Sequence, residues 1–250
     1  MFSMKVPIKI EPDRIKDAIV QVSFSSQYSY EILVGYLHKI LASIDFKYNT
    51  INPISPDPKL IINNTVNINL TPLFIDKNNF VKIQLHQNNS LSFNMTSKYI
   101  GWDKYYSIIN LTLNKLKENQ IISSYNRVGI RYISEFFGID ILDKVKFNID
   151  LSFPGKKIDS STSNLKWKDQ ELFVNLNILS KIPLNQTINI NSELINFVSL
   201  IDVDIIKQNL QIAETKEIME VIKHCHDKQK ETFFSLLTDE FLSELNPLYE

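Results

Sequence analysis

Between Lys16 and Ser25 apolar residues fall at every second position: Ala18, Val20, Val22 and Phe24. That period marks a half-buried strand. From Ser29 the period changes to that of a helix, with Ile32, Leu33, Tyr36, Leu37, Ile40 and Leu41 on one stripe ending near Ser43. A short strand is expected over Phe46–Thr50, and Pro53, Pro56 and Pro58 mark a loop. Short β segments follow over residues 60–70 and 73–75. Next comes a hairpin, Phe80–Leu85 and Leu91–Met95, around Gln87-Asn88-Asn89-Ser90. Gly101-Trp102-Asp103 opens a second helix with Tyr105, Ile108, Ile109, Leu111, Leu113 and Leu116 on or beside its apolar face. A central strand is expected from about Ile121 to Phe136.

The second half reads as strands over 145–153, 163–168, 171–178, 184–191 and 196–207, with turns at Pro154-Gly155 and Lys168-Asp169-Gln170. Helical spacing resumes from Thr215 to Asn246, through Ile218, Val221, Ile222, Cys225, Phe233, Leu236, Leu237, Phe241, Leu242 and Leu245. Thr238-Asp239-Glu240 is placed to interrupt it. The expected fold class is α+β: a large, mostly antiparallel sheet, in one piece or as two similar sheet units, with helices packed on one face. Residues 1–250 are expected to form a single domain, with a soft boundary near 138–145 if there are two sub-units. No internal sequence repeat supports a duplication.

Composition narrows the chemistry. The 250 residues carry a formal charge of −1, so the chain as a whole makes no electrostatic bid for nucleic acid or an anionic membrane. No apolar run approaches the roughly 20 residues that cross a bilayer, and Lys5, Pro7 and Lys9 break the N-terminal stretch. The cytosol is the expected location. One cysteine, Cys225, leaves no internal disulfide and no cysteine-built zinc site. With five glycines, neither a Walker-type loop nor a dinucleotide fingerprint can be assembled. No cofactor, catalytic residue or metal ligand is expected.

The chain holds only three arginines, and two stand in Tyr125-Asn126-Arg127-Val128-Gly129-Ile130-Arg131-Tyr132-Ile133. At a period of two, Val128, Ile130 and Tyr132 face one side of this strand while Arg127, Gly129 and Arg131 face the other. The two arginines lie about 13 Å apart along the strand. Their planar forks suit a phosphate, a carboxylate or a partner's acidic loop; equally, they suit structural bridges to Asp or Glu on neighbouring strands or helices. Gly129 between them points to a backbone or ring lying close over the strand.

This stretch, with Gly101-Trp102 ahead of a helix, resembles the signature of a sporadically distributed bacterial family of uncharacterised proteins. Asp17-Ala18-Ile19-Val20-Gln21-Val22 and Phe233-x-x-Leu236-Leu237-Thr238-Asp239-Glu240 resemble it as well, and Ser134 stands where the family usually has Asn. The resemblance implies no activity. Its patchy distribution implies mobile genes such as defence or toxin–antitoxin systems. Expected binding residues are Arg127, Arg131, Tyr125, Gly129 and Trp102.

Three other clusters have plainer readings. His224 and His226, two apart on a helix, point about 200° from one another and cannot share a metal without breaking it. Asp202 and Asp204 share a strand face and suit either a divalent metal or a solvated surface, and they are candidate partners for Arg127 or Arg131. Lys156, Lys157, Lys166 and Lys168, near Phe153, Trp167 and Phe173, suit single-stranded nucleic acid or a solvated hairpin. The leading expectation is a non-enzymatic interaction protein whose partner is a protein. A metal-dependent enzyme acting on nucleotides or phosphoesters comes second, and a single-stranded nucleic-acid binder third. Long strands and open sheet edges are compatible with a homodimer.

Overall fold

The computed structural model describes residues 5–51, 71–96, 98–146, 159–190 and 192–249. The strand expected over 60–70 and all but the start of that over 145–153 lie outside them. The elements are β1 (Lys9–Ile10), β2 (Ile15–Ser25), α1 (Tyr30–Ala42), β3 (Phe46–Ile51), β4 (Thr71–Asp76), β5 (Val81–His86), β6 (Ser90–Met95), α2 (Trp102–Glu118), β7 (Ser124–Phe137), β8 (Ser161–Asp169), β9 (Leu172–Ile190), β10 (Glu193–Ile212), α3 (Thr215–Leu236), α4 (Asp239–Glu244) and β11 (Pro247–Leu248). Among the described residues nine strands form one antiparallel sheet in the order β3-β4-β5-β6-β2-β7-β10-β9-β8, and β1 pairs with β11 apart from it. This is an α+β fold with a large antiparallel sheet. No described helix is long and apolar enough to cross a membrane.

The chain forms two compact units. One comprises Met1–Ala18, Gly129–Lys207 and Ile222–Glu250; the other comprises Ile19–Val128 and Gln208–Val221. The division falls within β2, β7 and β10.

In the unit containing Ile19–Val128, the β5–β6 register sets Leu85 against Leu91, Ile83 against Phe93 and Val81 against Met95, all buried. The three-residue turn Gln87-Asn88-Asn89 needs a left-handed residue, and Asn89 supplies it at φ 53°. Leu33, Leu37, Ile40 and Leu41 of α1 and Tyr105, Ile109, Leu113 and Leu116 of α2 complete the buried set. Gly101 caps α2 at φ 90°, a conformation that residues with a side chain rarely adopt.

One tyrosine ties this helix into the sheet. Fully buried, Tyr105 donates its hydroxyl proton to the Phe93 carbonyl of β6 at 2.6 Å and accepts from the Val20 N–H of β2 at 3.1 Å. β6 and β2 are sheet neighbours, so the hydroxyl relays a backbone bond between adjacent strands. Desolvation accordingly pushes its pKa well above the usual phenol value.

In the unit containing Gly129–Lys207, β10 pairs with β9 so that Ile201 faces Ile178, Val203 faces Leu176 and Ile205 faces Val174, all buried. On β7 the buried residues include Ile130, Tyr132 and Phe136. The Tyr132 ring lies 6.0 Å from that of His226 on α3, and Phe136 lies 5.6 Å from Phe241 on α4, which places both helices against this face. The helical run from Thr215 breaks where expected. Thr238 caps α4, its hydroxyl accepting from the Phe241 N–H at 3.2 Å.

The two strands expected over 171–178 and 184–191 are one continuous strand, β9. Pro183, opposite Phe197, is tolerated inside it because the register shifts between Ile195 and Phe197, where a ladder bond is already interrupted.

Replacing Tyr105 by Phe strands a buried N–H and a buried carbonyl. Urea denaturation is expected to show a loss of about 1–3 kcal/mol. A loss below about 0.5 kcal/mol, the scatter of ordinary surface substitutions, would contradict the relay.

Candidate functional site

In the unit containing Gly129–Lys207, α3 and α4 lie against one face of the strands. Polar residues form a continuous row on the other. Arg131 of β7 donates from Nε to Asp202 Oδ1 and from Nη2 to Asp202 Oδ2, both at 2.8 Å. Asn177 of β9, directly opposite Asp202 in the register, donates to Oδ2 at 3.0 Å, and Asn164 of β8 donates to Asn177. Asp17 of β2 adds its charge to the field at Arg131. The Asp202 hydrogen bond is the largest of the causes that raise the Arg131 pKa.

The exposures of this pair are unequal. The Arg131 side chain is 46% exposed and that of Asp202 only 6%. Asp202 is therefore not part of a solvated surface: both of its oxygens accept from Arg131, and one from Asn177 as well. Asp204 does share its face, as the alternation requires, and accepts from Asn175 at 3.3 Å. A divalent metal at Asp202 would have to displace the guanidinium. Among the described residues no three His, Cys, Asp or Glu side chains gather as a metal site.

Arg127 belongs to the other unit and has a different kind of partner. Its Nη1 donates to the neutral Gln21 Oε1 of β2 at 2.6 Å. The Gln21 amide donates in turn to Ser90 Oγ at 3.5 Å, and Ser90 donates to Asn88 Oδ1 at 2.7 Å. Next along β7, Asn126 donates to Ser25 Oγ at 3.0 Å. Among the described residues no carboxylate forms an ion pair with Arg127. A half-buried guanidinium held by an amide is solvated less than in water, and its charge is not neutralised.

The remaining expected residues are tied into their surroundings. Tyr125 is fully buried and shares a hydrogen bond with Thr215 at 3.0 Å. Trp102 packs its indole 5.4 Å from Tyr106 and 6.3 Å from Tyr105. Gly129 is buried within β7.

The other clusters resolve by the same alternation. On β8, Lys166 and Lys168 lie opposite Asn175 and Phe173, whereas Trp167 lies opposite the buried Val174. The lysines and the indole therefore occupy different faces. Lys168 instead sits 5.6 Å from the Phe173 ring centre. Lys156 and Lys157 lie outside the described residues. On the unbroken α3, the His226 ring meets Tyr132 edge-on, and burial pushes the Cys225 thiol up to about 12.

Gln21, Ser90, Asn88, Asn177 and Asn164 were not singled out in the sequence. Gln21, Ser90, Asn177 and Asn164 are ordinary polar residues of strands and Asn88 lies in the β5–β6 turn; strand order brings Gln21 to Arg127 and links the others to an arginine through Gln21 or Asp202. Comparison with protein-family models finds none that matches, and a search of curated proteins finds no relative.

The structure separates the two arginines energetically. Arg131→Ala leaves a buried carboxylate with a single amide donor, for an expected loss of about 1–3 kcal/mol in chemical denaturation. Equal stabilities for Arg131→Ala and wild type would remove the structural role. Iodoacetamide at pH 8 is expected to leave Cys225 unlabelled in the native protein and to alkylate it in urea, because only the thiolate reacts. Rapid native labelling would contradict the buried, protonated thiol.

Proposed function

We propose that this protein is a non-enzymatic interaction component that recognises a protein partner through the polar side of β7. The observation that carries the reading is the contrast in compensation. Arg131 is neutralised by a buried carboxylate, whereas Arg127 is presented by a neutral amide and meets no carboxylate among the described residues. Guanidinium groups recognise planar oxyanions with directional, paired hydrogen bonds, so a half-buried one held by an amide suits recognition. The patchy distribution of the family it resembles favours a partner encoded beside it, as in a defence or toxin–antitoxin pair, with the cytosol as the place where they meet.

The metal-dependent enzyme reading loses support at Asp202, whose oxygens are already engaged. The nucleic-acid reading loses support at β8, where lysines and tryptophan do not share a face.

The test is a tagged pull-down from low-salt native lysate, with mass spectrometry of protein and a nucleic-acid stain of the eluate. Wild type is expected to bring down one stoichiometric protein and Arg127→Ala to lose it, with stability within about 1 kcal/mol of wild type. A partner retained in full by Arg127→Ala, or an eluate free of any partner, would overturn the reading.

A further inference from the structure

Resting on that reading, we infer that Arg127 is the seat of a single carboxylate presented by an acidic segment of the partner protein, and that Gln21 is the positioning residue that keeps the seat open. Nη1 of Arg127 is spent on Gln21 Oε1. Among the described residues no hydrogen bond is made on the Arg127 Nε and Nη2 edge, and this is the edge on which Arg131 seats the Asp202 carboxylate, with two bonds of 2.8 Å. The chain thus contains its own template for the complex. The carboxylate that Arg131 finds inside the chain, Arg127 takes from outside.

The direction of the hydrogen bonds around Gln21 supports this role. Its amide nitrogen is turned to Ser90, and the Ser90 proton is turned to Asn88. That polarity leaves the Gln21 oxygen for the guanidinium and orients the fork without cancelling its charge. A glutamate at position 21 would do the opposite, filling the seat from within.

The surroundings also select among anions. Gln21, Ser90, Asn88, Asn126 and Ser25 are all neutral. Nucleic acid binds through several cations that each neutralise a phosphate, so one guanidinium in a neutral setting matches one carboxylate better than a polyanion.

A full-length protein with three arginines gives three side-chain Nε–H resonances, assignable through Arg→Lys variants. Titration with hexaglutamate is expected to move the Arg127 resonance saturably and to leave that of Arg131, already paired, in place. In Gln21→Glu the Arg127 response is expected to vanish, and the partner to be lost in pull-down, while the melting curve stays at or above that of wild type. Inorganic phosphate and oligothymidylate serve as competing probes. The inference is overturned if Arg127 does not respond to hexaglutamate, if Arg131 responds equally, if oligothymidylate is the better ligand, or if Gln21→Glu still binds. A saturable Arg127 response combined with a pull-down indifferent to Arg127 would leave the seat standing and reject the protein-partner reading instead.

Discussion

Successive side chains of a regular strand leave on opposite sides, and within each unit helices cover one side of the strands. That pairing of constraints organises the rest. On β7 the buried Tyr132 and Phe136 meet His226 and Phe241 from the helices, so Arg131 has to emerge on the other side. On β10 the same rule sends Ile201, Val203 and Ile205 inward and Asp202 and Asp204 outward. Polar groups cannot be left unsatisfied even there, because side chains on adjacent strands crowd one another. The result is a row of hydrogen bonds running across strands from Arg131 to Asn164.

Within that rule, chemistry is decided by what lies on the neighbouring strand. Arg127 and Arg131 come from one short motif and look equivalent, yet their partners sit 106 and 71 positions away along the chain. Beside Arg131 stands a carboxylate that is almost completely buried, and a buried charge demands its counter-charge. Beside Arg127 stands an amide, which can orient a guanidinium and cannot neutralise it. Gln and Glu have the same length, so at position 21 an amide in place of a carboxylate is all that distinguishes the Arg127 contact from an ion pair.

The covered side follows the same logic of complete hydrogen bonding. Tyr105 reaches from α2 into the junction of β2 and β6 and serves as acceptor to one strand and donor to the other. The helix is thereby fixed to the sheet by direction as well as by apolar contact, which hydrophobic burial alone does not impose. Pro183 shows the complementary case: a residue with no N–H sits within β9 beside a register shift, so a continuous strand could be mistaken for two in the sequence.

Period and punctuation determined a large part of this protein. Alternation marked β2, the β5–β6 hairpin and β7; helical spacing marked α1, α2 and the run broken at Thr238; together they gave the α+β class. The split of β7 into an apolar and a polar side holds from Arg127 on, whereas Tyr125, which alternation sets beside Arg127, is buried. These features are legible because they depend on residues a few positions apart. The partners of the arginines, the burial of Asp202 and the relay through Tyr105 depend on which strands lie side by side. Strand order is set by the packing of the whole chain, through contacts between residues far apart in sequence, and so only the tertiary structure decided which arginine meets a carboxylate and which meets an amide.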